Sequence, residues 1–269
     1  MRDFFIYSKL AVQAVQKYFI YDRSFEGLLS AVFDSFARKE IPDKLVSESG
    51  TIPLFTDTHL VVADPEKAER VLAGLLKKIS RSAVYMLHAS FLSESEEVEN
   101  TIFRYVCKAF KMDKSIELNF ADPDVLELSK IYKKVNREAE KIRQFVRFQK
   151  TSDEVFFACV EPLYNVVPLN LDFFKDRFAD QQWLIYDIRR NRGWFYNLET
   201  IEEVKIENPG FDVSSGRLNR DVMDDDEADF QDLWKQYFKS ISIKERQNLK
   251  LQRQHMPKRF WKFLTEKQS

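Results

Sequence analysis

Glu161-Pro162-Leu163-Tyr164-Asn165 sets a carboxylate, a phenol and a carboxamide side by side, directly after the apolar run Val155-Phe156-Phe157-Ala158-Cys159-Val160. A buried strand ending there would hold the cluster at a sheet edge, where loops on a rigid support carry function. Glu161 is then a candidate general acid or base, with Tyr164 and Asn165 beside it. Asp187 closes a second strand-like run that starts at Trp183 and is the other acid–base candidate. Arg177 and Arg190 lie near Asp180 and Asp187 in sequence and are candidates for holding an anion, because a guanidinium pairs with phosphate or carboxylate in a fixed fork. A structural bridge between such arginines and aspartates across the hairpin is the more common arrangement.

Cations form the second pattern. Lys130, Lys134, Arg137 and Lys141 recur by three and four residues, so on a helix they line one side over a rise of roughly 16 Å. Arg143 and Arg147 continue the basic run, and Lys258 and Arg259 add a further pair beside Phe260 and Trp261. Clustered cations neutralise phosphates and release counterions, and exposed aromatic rings stack on unpaired bases. These eight residues are therefore the candidate nucleic-acid contacts, although a charged helix face is most often simply solvated.

Other chemistries lack their residues. No glycine is followed by lysine, which removes a phosphate-cradling P-loop. His59, His88 and His255 are scattered, and Cys107 and Cys159 stand far apart, so no metal site and no disulfide framework is expected. No cofactor is expected either, and both cysteines read as small buried hydrophobes.

Several elements must position these groups. Tyr21-Asp22-Arg23-Ser24 leads into Phe25, Leu28, Leu29, Val32, Phe33 and Phe36, one face of a helix capped by Asp22 or Ser24. Asp64-Pro65 and Asp122-Pro123 are two further helix starts, with Asp at the cap and Pro at the first helical position. Ser93 with Glu96 has the capping-box spacing ahead of a fourth helix. After Gln149 the period changes: strands are expected at 155–160, 183–187, 194–196 and 201–206, with a short helix over 170–178 and a hairpin at Arg189–Gly193. Residues 1–150 thus read as a helical region and 151–210 as a small sheet region folded with it, an α+β arrangement with an antiparallel sheet. An acidic connector over 211–229 and a basic helical tail over 230–269 complete the expected organisation.

Composition sets outer limits. The chain has 269 residues and a net charge of -1, from 42 Lys+Arg against 43 Asp+Glu, so it is not basic overall. Apolar runs are broken by charge well short of the ~18 residues that a spanning helix requires. The first residues carry Arg2, Asp3 and Lys9 and no small-residue cleavage site. The expectation is a cytoplasmic protein without a membrane partner.

As a set, Tyr21-Asp22-x-Ser24-Phe25-Glu26-Gly27-Leu28-Leu29, Phe145-Val146-Arg147-Phe148, Glu161-Pro162-x-Tyr164-Asn165-x-x-Pro168-Leu169, Arg177-Phe178-Ala179-Asp180-Gln181-x-Trp183-x-Ile185-Tyr186-Asp187-x-x-Arg190 and Met256-Pro257-x-Arg259-Phe260-Trp261 resemble the bacterial family of probable DNA metabolism proteins. The resemblance spans nearly the whole chain. It implies partnership with a radical-SAM DNA modification or repair protein, and the same domain is similar to one fused to uracil-DNA-glycosylase-like domains. It implies no catalytic residue, and Glu161, Tyr164, Asn165, Arg177, Asp180, Asp187 and Arg190 carry over only as motif members.

Three functions follow as expectations. The first is a DNA-associated accessory protein acting in repair or modification through the basic residues. The second is an enzyme acting on a nucleobase or phosphodiester, with Glu161 or Asp187 as acid or base. The third is an interaction scaffold in which Phe260, Trp261 and Phe263 dock on a partner without nucleic-acid contact.

Overall fold

The computed structural model describes residues 15–207, 210–242 and 248–268. The chain divides into two compact units, and the border falls inside its longest helix. Unit 1 comprises the described residues up to Phe91 together with Ser95–Ser129, and unit 2 comprises Leu92–Glu94 and the residues from Lys130 onward.

Unit 1 joins helices to a three-stranded sheet that the sequence reading had not anticipated. β1 (Lys17–Tyr21) lies between β2 (Lys44–Ser47) and β3 (Asp57–Leu60), and both pairings are parallel. These strands are four or five residues long; β2 and β3 are half polar or more, and the apolar run Tyr18–Tyr21 of β1 is too short to tell a strand from a helix on its own. The apolar segment from Phe4 to Phe19 in the sequence lies largely outside the described residues.

α1 (Phe25–Arg38) starts as expected, because Ser24 accepts from the Gly27 N–H at 2.8 Å while Asp22 accepts from the Ser24 hydroxyl. α2 (Pro65–Leu75) is capped by Asp64, which accepts from the N–H groups of Glu66 and Lys67. α3 (Arg81–Phe91) follows. α4 (Val98–Lys111) departs from the capping-box expectation: Glu97 stands at its cap in the left-handed region at φ 61°, without a side-chain cap bond. α5 (Pro123–Phe145) opens behind Asp122, whose Oδ1 accepts from the Asp124 and Val125 N–H groups. Its buried seam runs through Val125, Leu128, Ile131, Val135, Ala139 and Ile142.

Unit 2 is built on a five-stranded sheet in chain order: β4 (Gln149–Lys150), β5 (Phe156–Val160), β6 (Trp183–Asp187), β7 (Arg192–Tyr196) and β8 (Ile201–Val204). The sheet is mixed, where an antiparallel one was expected. β5 and β6 run parallel, because the chain between them crosses over through a 3-10 turn (Pro168–Asn170) and α6 (Leu171–Arg177). The hairpin of β6 and β7 is antiparallel, pairing Trp183 with Tyr196 and Tyr186 with Gly193. A Cβ at Gly193 would stand 2.9 Å from the Tyr186 ring, so the close pairing requires glycine there.

Residues 211–229 do more than connect. Phe211 and Leu218 bridge to one another and enter a core cluster with Phe157, Cys159 and Tyr186. α7 (Glu227–Ile241) and α8 (Leu249–His255) follow, and a 3-10 segment (Lys258–Phe263) brings Phe260 and Leu264 into the core. No helix among the described residues is long and apolar enough to cross a membrane.

Candidate functional site

The C-terminal part of α5 presents the expected basic side. Lys130, Lys134 and Arg137 are exposed, as is Lys133, and none of the four forms an ion pair or hydrogen bond with a described residue. Glu127 and Glu140 are exposed on the same helix without closing on them. Helical periodicity explains the segregation, since Ile131, Val135, Ala139 and Ile142 fill the opposite side.

Four of the other five basic candidates are engaged. Lys141 lies 3.9 Å from Glu138, and Arg143 donates to Asn170 at 2.6 Å while lying 5.4 Å from the Phe173 ring centre. Arg147 pairs with Glu266 at 2.8 Å and donates to the carbonyls of Gln144 and Val146. Arg259 pairs with Glu138, whereas Lys258 is exposed and unpaired among the described residues. Two of the eight cations, Arg147 and Arg259, are thus neutralised at close range by buried carboxylates.

The loop after β5 brings several motif residues together for structural work. Glu161 pairs with Lys262 at the surface. The Leu163 N–H donates to Glu138 at 3.0 Å, and the Asn165 N–H donates to the Leu92 carbonyl at 2.9 Å. The Asn165 side-chain oxygen is buried without a hydrogen-bond partner among the described residues, and Tyr164 is half-buried.

Asp187 is completely buried at the end of β6. Its Oδ1 accepts from the N–H groups of Arg189 and Arg190, closing the hairpin turn, and its Oδ2 accepts from Arg190 Nη1 at 2.8 Å. Arg190 also grips Glu94, with Nη2 at 2.6 Å, and reaches the Pro162 carbonyl. Burial pushes the Asp187 carboxyl above the usual carboxylate range, and the bonds from Arg190 offset only part of that shift. Both Asp187 oxygens are thus committed inside the fold. Arg190 is likewise filled by two carboxylates, which leaves Arg177, exposed at the end of α6, as the open member of the proposed anion-binding pair.

Glu138 was not singled out by motif. It is 2 % exposed, held by Arg259 and the Leu163 N–H, and its signal was a carboxylate beside Ala139 in an otherwise apolar seam. In unit 1, Asp34 was also missed; it joins His59 and Lys67, each at 2.9 Å. Both cysteines are buried; the Cys107 thiol is pushed up to about 11 and Cys159 also rises, because desolvation penalises a thiolate. Among the described residues, no group of three or more His, Cys, Asp or Glu side chains is arranged to hold a metal ion.

Within unit 2 the later motif blocks pack together: Phe145 lies against Phe260 with ring centres 5.2 Å apart, and Phe148 packs on Phe174 and Phe178. Comparison with protein families finds that the model of a domain of unknown function, DUF4130, matches residues 96–266. No curated protein and no solved structure matches the chain.

Proposed function

The chain belongs to the DUF4130 family, and we propose on the strength of its open cation row that it is a DNA-associated accessory protein that contacts the phosphate backbone through α5. The observation that supports this reading is the open row of Lys130, Lys133, Lys134 and Arg137, which no described carboxylate neutralises. A solvated cation row costs nothing to expose and gains free energy by releasing counterions from a polyanion. Lys141 continues this row by one turn but lies 3.9 Å from Glu138, and Arg143, on another side of the helix, is held by Asn170. The resemblance of the motifs points to a radical-SAM DNA modification or repair protein as the enzyme beside which the chain acts.

Fluorescence anisotropy with labelled single- and double-stranded oligonucleotides tests the proposal. Lys134→Glu combined with Arg137→Glu should weaken binding at least tenfold at about 50 mM salt, and raising salt to about 200 mM should weaken the unaltered protein steeply. Affinity that ignores both changes would remove α5 as the contact. Co-purification of the full chain with the radical-SAM protein tests the partner separately.

A further inference from the structure

Unit 1 carries an apolar groove bordered by α1, α2 and α4. Two cavities, of about 220 and 240 Å³, share Phe36 as a wall. Phe33, Phe36, Val71 and Phe110 supply the apolar surface of the second, and Ile41 adds to the first. Phe36 is 43 % exposed and Ile41 57 %, so the groove opens to solvent. Phe110 can lie this close to α2 because Gly74 faces it; a Cβ there would stand 3.0 Å from the ring.

The groove's charged residues are all cations: Lys39 and Lys111 line the first cavity and Arg70 the second. None of the three forms an ion pair with a described carboxylate, although Arg70 lies over the Phe33 ring at 4.9 Å. Two carboxylates beside the groove residues are committed elsewhere, Asp34 to His59 and Lys67, and Glu40 to Lys17 and Arg38. An apolar trough with an unneutralised basic rim selects a ligand that is apolar along one stripe and acidic beside it.

The floor distinguishes between two such ligands. Ser35 Oγ already donates to the Glu40 carbonyl, and the Cys107 thiol stays protonated at neutral pH. A nucleobase entering these cavities would leave its polar edges unmet, at a cost that apolar side chains avoid. We propose that this groove docks an acidic amphipathic helix of a protein partner, with two apolar anchors one turn apart entering the paired cavities and flanking carboxylates meeting Lys39, Arg70 and Lys111. The site lies wholly within unit 1 and stands independently of the α5 contact.

The test uses the full chain and a labelled synthetic helical peptide with Phe and Leu four positions apart, flanked by glutamates. A control peptide carries lysines in place of the glutamates. The acidic peptide should bind saturably and weaken with salt, and the lysine peptide should not bind. Phe36→Ala should weaken the acidic peptide about tenfold, as removal of a central aromatic anchor does. Arg70→Glu, a surface change that leaves the floor intact, should also weaken it and admit the lysine peptide. Circular dichroism verifies that both variants remain folded. Absence of saturable binding, equal binding of the two peptides, or Phe36-dependent binding of a single-stranded oligonucleotide in place of the peptide would overturn the assignment.

Discussion

A carboxylate buried in a helix seam is destabilising unless its oxygens are met, and Glu138 is met by the Arg259 guanidinium and the Leu163 N–H. Removing it would strand both donors. Glu138→Ala should therefore destabilise the protein by about 3 kcal/mol, with the urea midpoint as the measurement, while Glu138→Gln should cost less because it keeps an acceptor for Leu163. Its role was readable in the sequence as a charged residue intruding on an apolar period, but its partner was not, since Arg259 is distant in the chain. Asp124 supplies a pH-dependent case. Burial alone would raise its carboxyl, but hydrogen bonds from Arg104 and Lys108 outweigh burial and hold it below the usual range. Its pKa is lower folded than unfolded, so its contribution is complete above the unfolded value of about 3.9 and disappears as pH falls through the folded value. Asp124→Asn should cost about 1 kcal/mol at neutral pH, discounted because Arg104 is half-exposed, and the loss should vanish below that acidic window in urea titrations.

Among the elements, the C-terminal 3-10 segment departs most from its sequence appearance. Phe260, Trp261 and Phe263 have the composition of a docking motif, yet Phe260 is 4 % exposed and packs on Phe145. Phe260→Ala should accordingly lower stability by about 3 kcal/mol through the cavity it leaves, measurable by chemical denaturation without any partner present. A segment that merely awaited a partner would tolerate the change. Local chemistry made other elements plain: Asp64-Pro65 and Asp122-Pro123 start α2 and α5 because the aspartates accept the orphan N–H groups of the first turn. The runs that became β5 and β6 were visible from their strand-forming side chains. Their parallel pairing was not, because pairing direction depends on how α6 carries the chain back across the sheet. β1, β2 and β3 stayed hidden for a related reason, since such short segments become strands through pairing between distant parts of the chain.

For the molecule as a whole, a net charge of -1 means that long-range attraction cannot draw it to a polyanion, so any DNA affinity must come from a local cation row. Ion pairing inside unit 2 narrows that row. Arg147 and Arg259 are spent on Glu266 and Glu138, which leaves Lys130, Lys133, Lys134 and Arg137 as the open set on α5. Counterion release then fixes the expected salt response: three to four phosphate contacts give a slope of about -3 in log affinity against log salt on duplex DNA. Lys134→Gln and Arg137→Gln should each reduce that slope by about 1, equally for unrelated sequences, because phosphate contacts carry no base information. Arg259→Gln should leave the slope unchanged while lowering stability, because its charge is already balanced inside the fold. If instead Arg259→Gln reduced the slope as the α5 variants are expected to, the internal pair would have to open on binding, and the contact surface would extend from α5 onto the C-terminal segment.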